Sequence, residues 1–124
     1  MNDDAAREAA AQWLQLIDAG HYEEAASQGS QDVRGFDQWL NQFRTQRAAA
    51  GRANTRQLVR TTHTAIVAGV PDVRRYFVVR FNTAFEHPGS PSSGTASRTA
   101  MLEEITLSKI GCCWEIFSYR ISDK

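Results

Sequence analysis

What this chain of 124 residues has little of narrows its reading first. It holds two cysteines, and they are neighbours, Cys112 and Cys113. Adjacent thiols cannot staple distant parts of a chain as a secreted disulfide framework does. Without a second cysteine or histidine pair at ligand spacing they do not make a zinc site either; a vicinal disulfide or a redox role is left as the minor reading. No apolar run approaches the roughly 20 residues that span a bilayer, so no membrane partner is expected. The three histidines, His21, His63 and His87, are scattered. They form no His-x-His or Glu-x-x-His pattern, and no metal is expected. No serine stands in a Gly-x-Ser-x-Gly setting and the glycines form no phosphate loop, which removes hydrolase and nucleotide-binding readings and implies no cofactor.

Net charge is also absent: 14 basic residues balance 14 acidic ones. The balance is uneven along the chain, with −6 over residues 1–33, +7 over 34–80 and −1 over 81–124. A basic middle third is the kind of segment that attracts phosphate. Here Arg74, Arg75 and Arg80 are spread along a predicted strand rather than gathered on one helix face, so the reading taken is that basic strands and acidic helices cover one another, with no nucleic-acid partner. The start, Met1-Asn2-Asp3-Asp4, lacks the basic head and apolar stretch of a secretory signal. That implies a cytoplasmic protein if Met1 is the native start and a periplasmic one if a leader has been removed.

What is present reads as a single domain over residues 1–124, long enough to bury roughly two thirds of the surface its unfolded chain exposes. Ala6, Ala10, Trp13 and Ile17 recur at helical spacing, with Ala9, Leu14 and Leu16 widening the stripe, and Asn2, Asp3 or Asp4 at the capping end. Gly20 stands where a helix ends in a left-handed residue. Tyr22 to Ser27 predicts a second short helix closed by Gly29-Ser30. Phe36, Trp39, Leu40 and Phe43, with Asp37 as cap and Gly51 beyond the end, predict a third. From about residue 54 the period changes to two, and strands are expected at 55–68, 74–86, 98–109 and 113–122. Gly69-Val70-Pro71-Asp72 and Gly111 mark turns, and "HPGSPSSGTAS" over 87–97 reads as a flexible loop.

On the second strand Phe77, Val79, Phe81 and Phe85 share one face, and Tyr76, Val78 and Ala84 the other. On the third, Glu103 sits on the same face as Met101, Ile105 and Leu107. Helices followed by strands predict an α+β class, with three N-terminal helices packed on a four-stranded antiparallel sheet. Apolar residues on the second sheet face predict a homodimer that covers it.

The order of "AAAQWLQLIDAGHYEEAA", "FDQWLNQFRTQRAAAG", "YFVVRFNTAF", "EEITL" and "WEIFSYRI" resembles the bacterial family called domain of unknown function 4019, over about residues 6–121. The similarity rests on Trp13, Asp18-Ala19-Gly20 with Tyr22, Trp39, Arg47, Gly51 and Arg56. In the sheet it rests on Tyr76, Val79, Phe81, Thr83, Phe85, Glu103, Ile105, Leu107, Trp114, Ile116, Tyr119 and Ile121. Ala49 and Ala50 depart from the family's proline and leucine, and Ser118 from a usual glycine. The resemblance implies a cystatin-like, or nuclear-transport-factor-2-like, roll: three helices packed into a curved sheet, with a pocket at the open end. It implies no activity.

Two chemical readings follow. Small isomerases resembling ketosteroid isomerase use such a roll, with a carboxylate that moves a proton and a tyrosine that stabilises an oxyanion. The analogous parts would be Tyr22 as donor and Asp37 or Glu103 as base or acid. The plainer reading pairs Glu103 with Arg47, Arg56 or Arg80, places Arg47 on the last carbonyls of its helix, and makes Trp13, Trp39 and Trp114 core. Tyr119 fits either a pocket or a hydrogen-bonded core. Asp18 is expected to be held by backbone amides or an arginine, and His21 to be exposed. No catalytic motif is complete, so the leading expectation is a non-enzymatic roll domain. It would bind a small apolar ligand between helices and sheet, with Trp13, Tyr22, Trp39, Glu103 and Tyr119 as pocket candidates and Gly20, Arg47, Gly51 and Arg56 as structural residues. A proton-transfer isomerase or lyase and a protein-interaction module are the alternatives.

Overall fold

The helical spacing of Ala6, Ala10, Trp13 and Ile17 becomes the buried face of α1, Asp3–Asp18, in the computed structural model. That structure describes residues 3–29, 36–65, 75–87, 97–110 and 113–123. α1 closes in a Schellman motif: the His21 N–H donates to the Leu16 carbonyl at 2.8 Å and the Gly20 N–H to the Ile17 carbonyl at 3.0 Å. The motif needs a left-handed residue, and Gly20 supplies it with φ of 80°. The short helix α2, Tyr22–Ser27, follows at once and buries Ala25 and Ala26. Trp13 locks the two helices together by donating its indole N–H to the Ala25 carbonyl at 2.8 Å. A third helix, α3, covers Phe36–Ala50. The side chains of Asp37, Trp39, Leu40 and Phe43 lie outside the described residues, and so do Ser30, the turns at 69–72 and Gly111, and the loop over 88–96.

Gly51, at φ of 95°, turns the chain directly from α3 into the sheet. Strand β1 therefore begins at Arg52 and runs to Thr64, earlier at both ends than the 55–68 expected from composition. Strands β2 (Tyr76–His87), β3 (Ser97–Ile110) and β4 (Cys113–Asp123) follow, each within two residues of expectation. All four pair as an antiparallel meander in the order β1-β2-β3-β4. The architecture is thus α+β, with the helices N-terminal to an open four-stranded sheet.

The period of two decides which side chains meet the helices. Phe77, Val79, Phe81, Thr83 and Phe85 are all buried on one face of β2, as are Glu103, Ile105 and Leu107 on β3. Phe77, Val79, Phe81, Ile105 and Leu107 pack with Trp13, Leu14 and Ile17 into one cluster. Trp13 stands edge-on to Tyr119 at 5.3 Å, and Phe77 edge-on to Trp114 at 5.5 Å, the arrangement that aromatic quadrupoles prefer. A bulge opposite Thr106 and Leu107 adds Phe117 to β4. Next to it the Ile116 N–H donates to Gln28 at 2.9 Å, which ties the exit of α2 to the sheet.

The outer face is of mixed character. Tyr76 and Phe117 meet edge-on at 5.0 Å and are buried there. Farther along, Arg80 bonds Glu104 at 2.9 Å and Thr62 at 3.2 Å, and Arg120 approaches Glu104 at 3.9 Å. The large apolar side chains exposed among the described residues are Leu58 and Val59, on β1. Cys113 is disulfide-bonded, and Cys112 lies outside the described residues. Among the described residues no helix is long and apolar enough to cross a membrane.

Since Trp13 contributes both ring burial and the clamp on α2, Trp13→Ala should lower stability by about 3–5 kcal/mol. Trp13→Phe, which keeps a ring but orphans the Ala25 carbonyl, should cost about 1–3 kcal/mol. Equilibrium urea unfolding followed by circular dichroism measures both; a Trp13→Phe variant as stable as the parent would show that the indole N–H does not hold α2.

Candidate functional site

Among the described residues Glu103 is the one carboxyl group that the fold buries completely, with no exposed surface. Its position follows from the strand period, which aims it at the helices between Met101 and Ile105. Burying a carboxylate is costly unless every lone pair finds a donor. Here Oε1 accepts from Arg56 Nε at 2.7 Å and from Thr83 Oγ1 at 2.5 Å. Oε2 accepts from the Tyr119 hydroxyl at 2.5 Å, with Arg47 Nη1 at 3.8 Å.

The donors come from neighbouring strands in register. Arg56 lies directly across from Thr83, and Thr83 is paired with Met101, two residues from Glu103. Tyr119 is paired with Ile105, the next inward residue along β3. Glu103 is therefore reached diagonally from both sides, at the separation that long or aromatic side chains span.

A second carboxylate joins the same arginines from the helix side. Asp18 Oδ1 accepts from Arg47 Nη1 at 2.8 Å and from Arg56 Nη2 at 3.0 Å, and Oδ2 from Arg56 Nη1 at 2.8 Å. An acid in the last turn of a helix faces the negative end of the macrodipole. The two guanidiniums offset that cost. Burial alone would raise the Asp18 carboxyl, but the hydrogen bonds from Arg56 and Arg47 outweigh it and hold it below the ordinary carboxylate range. Burial would likewise lower Arg56 and Arg47, yet Asp18, with Glu103 for Arg56, drives both upward, so they stay charged. Burial, reinforced by the adjacent Glu103 carboxylate, pushes the Tyr119 phenol well above its usual value. It acts as a neutral donor.

Sequence expectations sort cleanly onto this geometry. Of the three arginines offered to Glu103, Arg56 and Arg47 reach it. Arg80 points to the other face and pairs with its register partner Glu104. Arg47 was expected on the carbonyls of its own helix; its guanidinium instead reaches Asp18 and lies over the Phe85 ring at 4.9 Å. Trp13 and Tyr119 sit in the core cluster. Gly20 and Gly51 are the two left-handed glycines among the described residues. The Trp39 side chain lies outside the described residues. His21 is exposed, 3.4 Å from Glu24. Thr83 is the member that had no role assigned in advance, although a threonine between Phe81 and Phe85 on an inward face already calls for a polar partner.

Among the described residues two clefts adjoin α1, one at its C-terminal end and one along its side. One, of about 350 Å³, is lined by Asp18, Gly20, Tyr22, Arg47, Gly51 and Arg52 among others. The other, of about 470 Å³, lies between Ala9, Gln12 and Leu16 of α1, Gln28, and Cys113, Trp114 and Ile116 of β4. Neither is lined by Glu103 or Tyr119.

Residues 9–115 match a family described as a protein of unknown function, DUF4019. The chain belongs to that family. No curated protein and no solved structure matches it. The DUF4019 match spans α1 through the start of β4 and takes in Asp18, Arg47, Arg56, Thr83 and Glu103; Tyr119 lies beyond it.

The opposed shifts predict a stability plateau. Asp18, lowered in the folded state, contributes fully above its unfolded pKa of about 4, and that contribution is lost as pH falls through the folded value. Tyr119, raised, contributes fully below its unfolded value of about 10 and loses that contribution above it. Asp18→Asn should cost about 1.5–3 kcal/mol near neutral pH, and the gap to the parent should close in acid. Urea midpoints measured across pH test this, and a gap that stays constant in acid would exclude the ion pairs as its source. Glu103→Ala, which takes the acceptor from Arg56 Nε and from the buried Thr83 and Tyr119 hydroxyls, should cost about 3–5 kcal/mol.

Proposed function

We propose that the chain is a cystatin-like, nuclear-transport-factor-2-like roll that works without catalysis, holding a small apolar or amphipathic ligand in the cleft between α1 and the start of β4. The observation that carries this reading is the commitment of Glu103. A proton-transfer enzyme of the ketosteroid-isomerase kind needs a carboxylate and a donor converging on a cavity that substrate can enter. Glu103 and Tyr119 instead converge on each other, and neither lines either of the two clefts described above. The space between α1 and the sheet is taken by Trp13, Phe77 and Phe81. Room for a ligand lies at the edge, where Leu16, Trp114 and Ile116 supply apolar walls and Gln12 and Gln28 supply amides.

The same reading includes self-association. The outer sheet face carries Arg80, Glu104 and Arg120, whereas the exposed Leu58 and Val59 mark β1. A second copy would therefore meet the sheet along its β1 edge.

A neutral apolar dye, N-phenylnaphthylamine, should bind saturably with a rise in its fluorescence, and Gln12→Trp, at an exposed lining position, should abolish that rise by filling the cleft. Absence of saturable binding, or binding unchanged in Gln12→Trp, would overturn the cleft assignment. Sedimentation velocity should show a dimer at high micromolar concentration and a monomer for Val59→Lys. A parent that stays monomeric would overturn the association.

A further inference from the structure

The smaller cleft, between the ends of α1 and α3 and the start of β1, is not used by the reading above and has a different chemistry. Three guanidiniums gather around it. Arg47 and Arg52 line it, and Arg56 reaches the Asp18 carboxylate that also lines it. Two carboxyl groups, Asp18 and Glu103, answer these three cations. Asp18 is fully engaged, accepting three hydrogen bonds from Arg47 and Arg56. The excess falls on Arg52, which is exposed and makes no ion pair among the described residues. Arg47 adds a second deficit: its side chain is 4% exposed, and its Nε has no hydrogen-bond partner. A buried N–H without an acceptor costs free energy that an incoming acceptor recovers.

The remaining wall is apolar or small. Ile17, Ala19 and Ala48 line it beside the Tyr22 ring, and Gly20 and Gly51 leave the backbone uncovered. A Cβ built on Gly20 would meet nothing within 4 Å, so the space there is open. A volume of about 350 Å³ is at the small end of ligand-binding clefts.

We infer that this cleft is a binding site for a small organic carboxylate, its anionic end on Arg52 and Arg47 and its short apolar body against Tyr22, Ile17 and Ala48. A guanidinium matches a carboxylate in plane and in spacing, which favours that anion over a spherical one. Asp18 does not repel it, because its charge is held by two arginines in the same cluster. The site stands independently of the cleft beside Trp114.

Benzoate and its neutral counterpart benzyl alcohol are the probes, with nitrogen–proton correlation spectra of the full chain as the readout. Benzoate should shift the amides of Gly20 and Gly51 and the Arg47 Nε–H saturably at millimolar concentration, while the alcohol leaves them in place. Arg52→Gln, a change at an exposed position that leaves the buried cluster whole, should weaken the benzoate titration roughly tenfold. Three results would overturn the inference: no shift with benzoate, equal shifts with the alcohol, or an unchanged titration in Arg52→Gln. Displacement of N-phenylnaphthylamine is not a readout of this site, so its failure and that of the larger cleft are told apart.

Discussion

Placing a carboxyl group on the inner face of the third strand is the constraint around which the helix–sheet junction is organised. A buried carboxylate without donors is not tolerated, since its desolvation costs more than the apolar packing around it returns. Glu103 therefore requires a guanidinium from β1, a hydroxyl from β2 and a phenol from β4. Those donors reach it only in the observed strand register. A slip of one residue would turn Arg56, Thr83 or Tyr119 to the opposite face. The polar cluster thus specifies alignment in a way that the aromatic residues on either side of it, interchangeable in kind, do not.

The helices are bound by the same demand. Trp13, Leu14 and Ile17 attach α1 by area, a contribution that is large but indifferent to small sliding. Asp18, one residue beyond Ile17, adds direction: it touches Arg47 from α3 and Arg56 from β1 in one bidentate-capable fork. The Gly20 turn immediately after it lets the chain leave without dragging Asp18 out of reach. The "DAG" that ends the first helix is in this sense one unit, an anchor and the stop that permits it.

Much of this is written in the sequence and some is not. Periods of 3.6 and 2 are sums over many side chains, so α1, α2 and the four strands stand within a few residues of their expected places. The start of β1 was displaced because a single positive-φ glycine, Gly51, makes the change of direction in one step where composition suggested a gradual one. Glu103 among Met101, Ile105 and Leu107 already announced a buried acid. Which arginine answers it depends on strand pairing, which no local pattern encodes. Arg80 falls between the inward Val79 and Phe81, so the strand period turns it outward, whereas β1 carries no clear apolar alternation and only its pairing with β2 brings Arg56 to Glu103. Thr83 was legible as an anomaly among phenylalanines, without a partner to explain it.

Local propensity and long-range electrostatics also divide the molecule's surface. The acids of α1 and α2 and the arginines of α3 and β1 nearly cancel where they meet at Asp18, Arg47 and Arg56, which is what a neutral chain with segregated charge should do. Cancellation is incomplete at Arg52, because β1 brings one more cation to the junction than the helices bring acids. Its register partner is Glu86, yet the two form no ion pair among the described residues. A fold that spends its carboxylates inward to secure register leaves its surplus positive charge outward, at the rim of a cleft, and it is there rather than at the buried carboxylate that an external anion has something to gain.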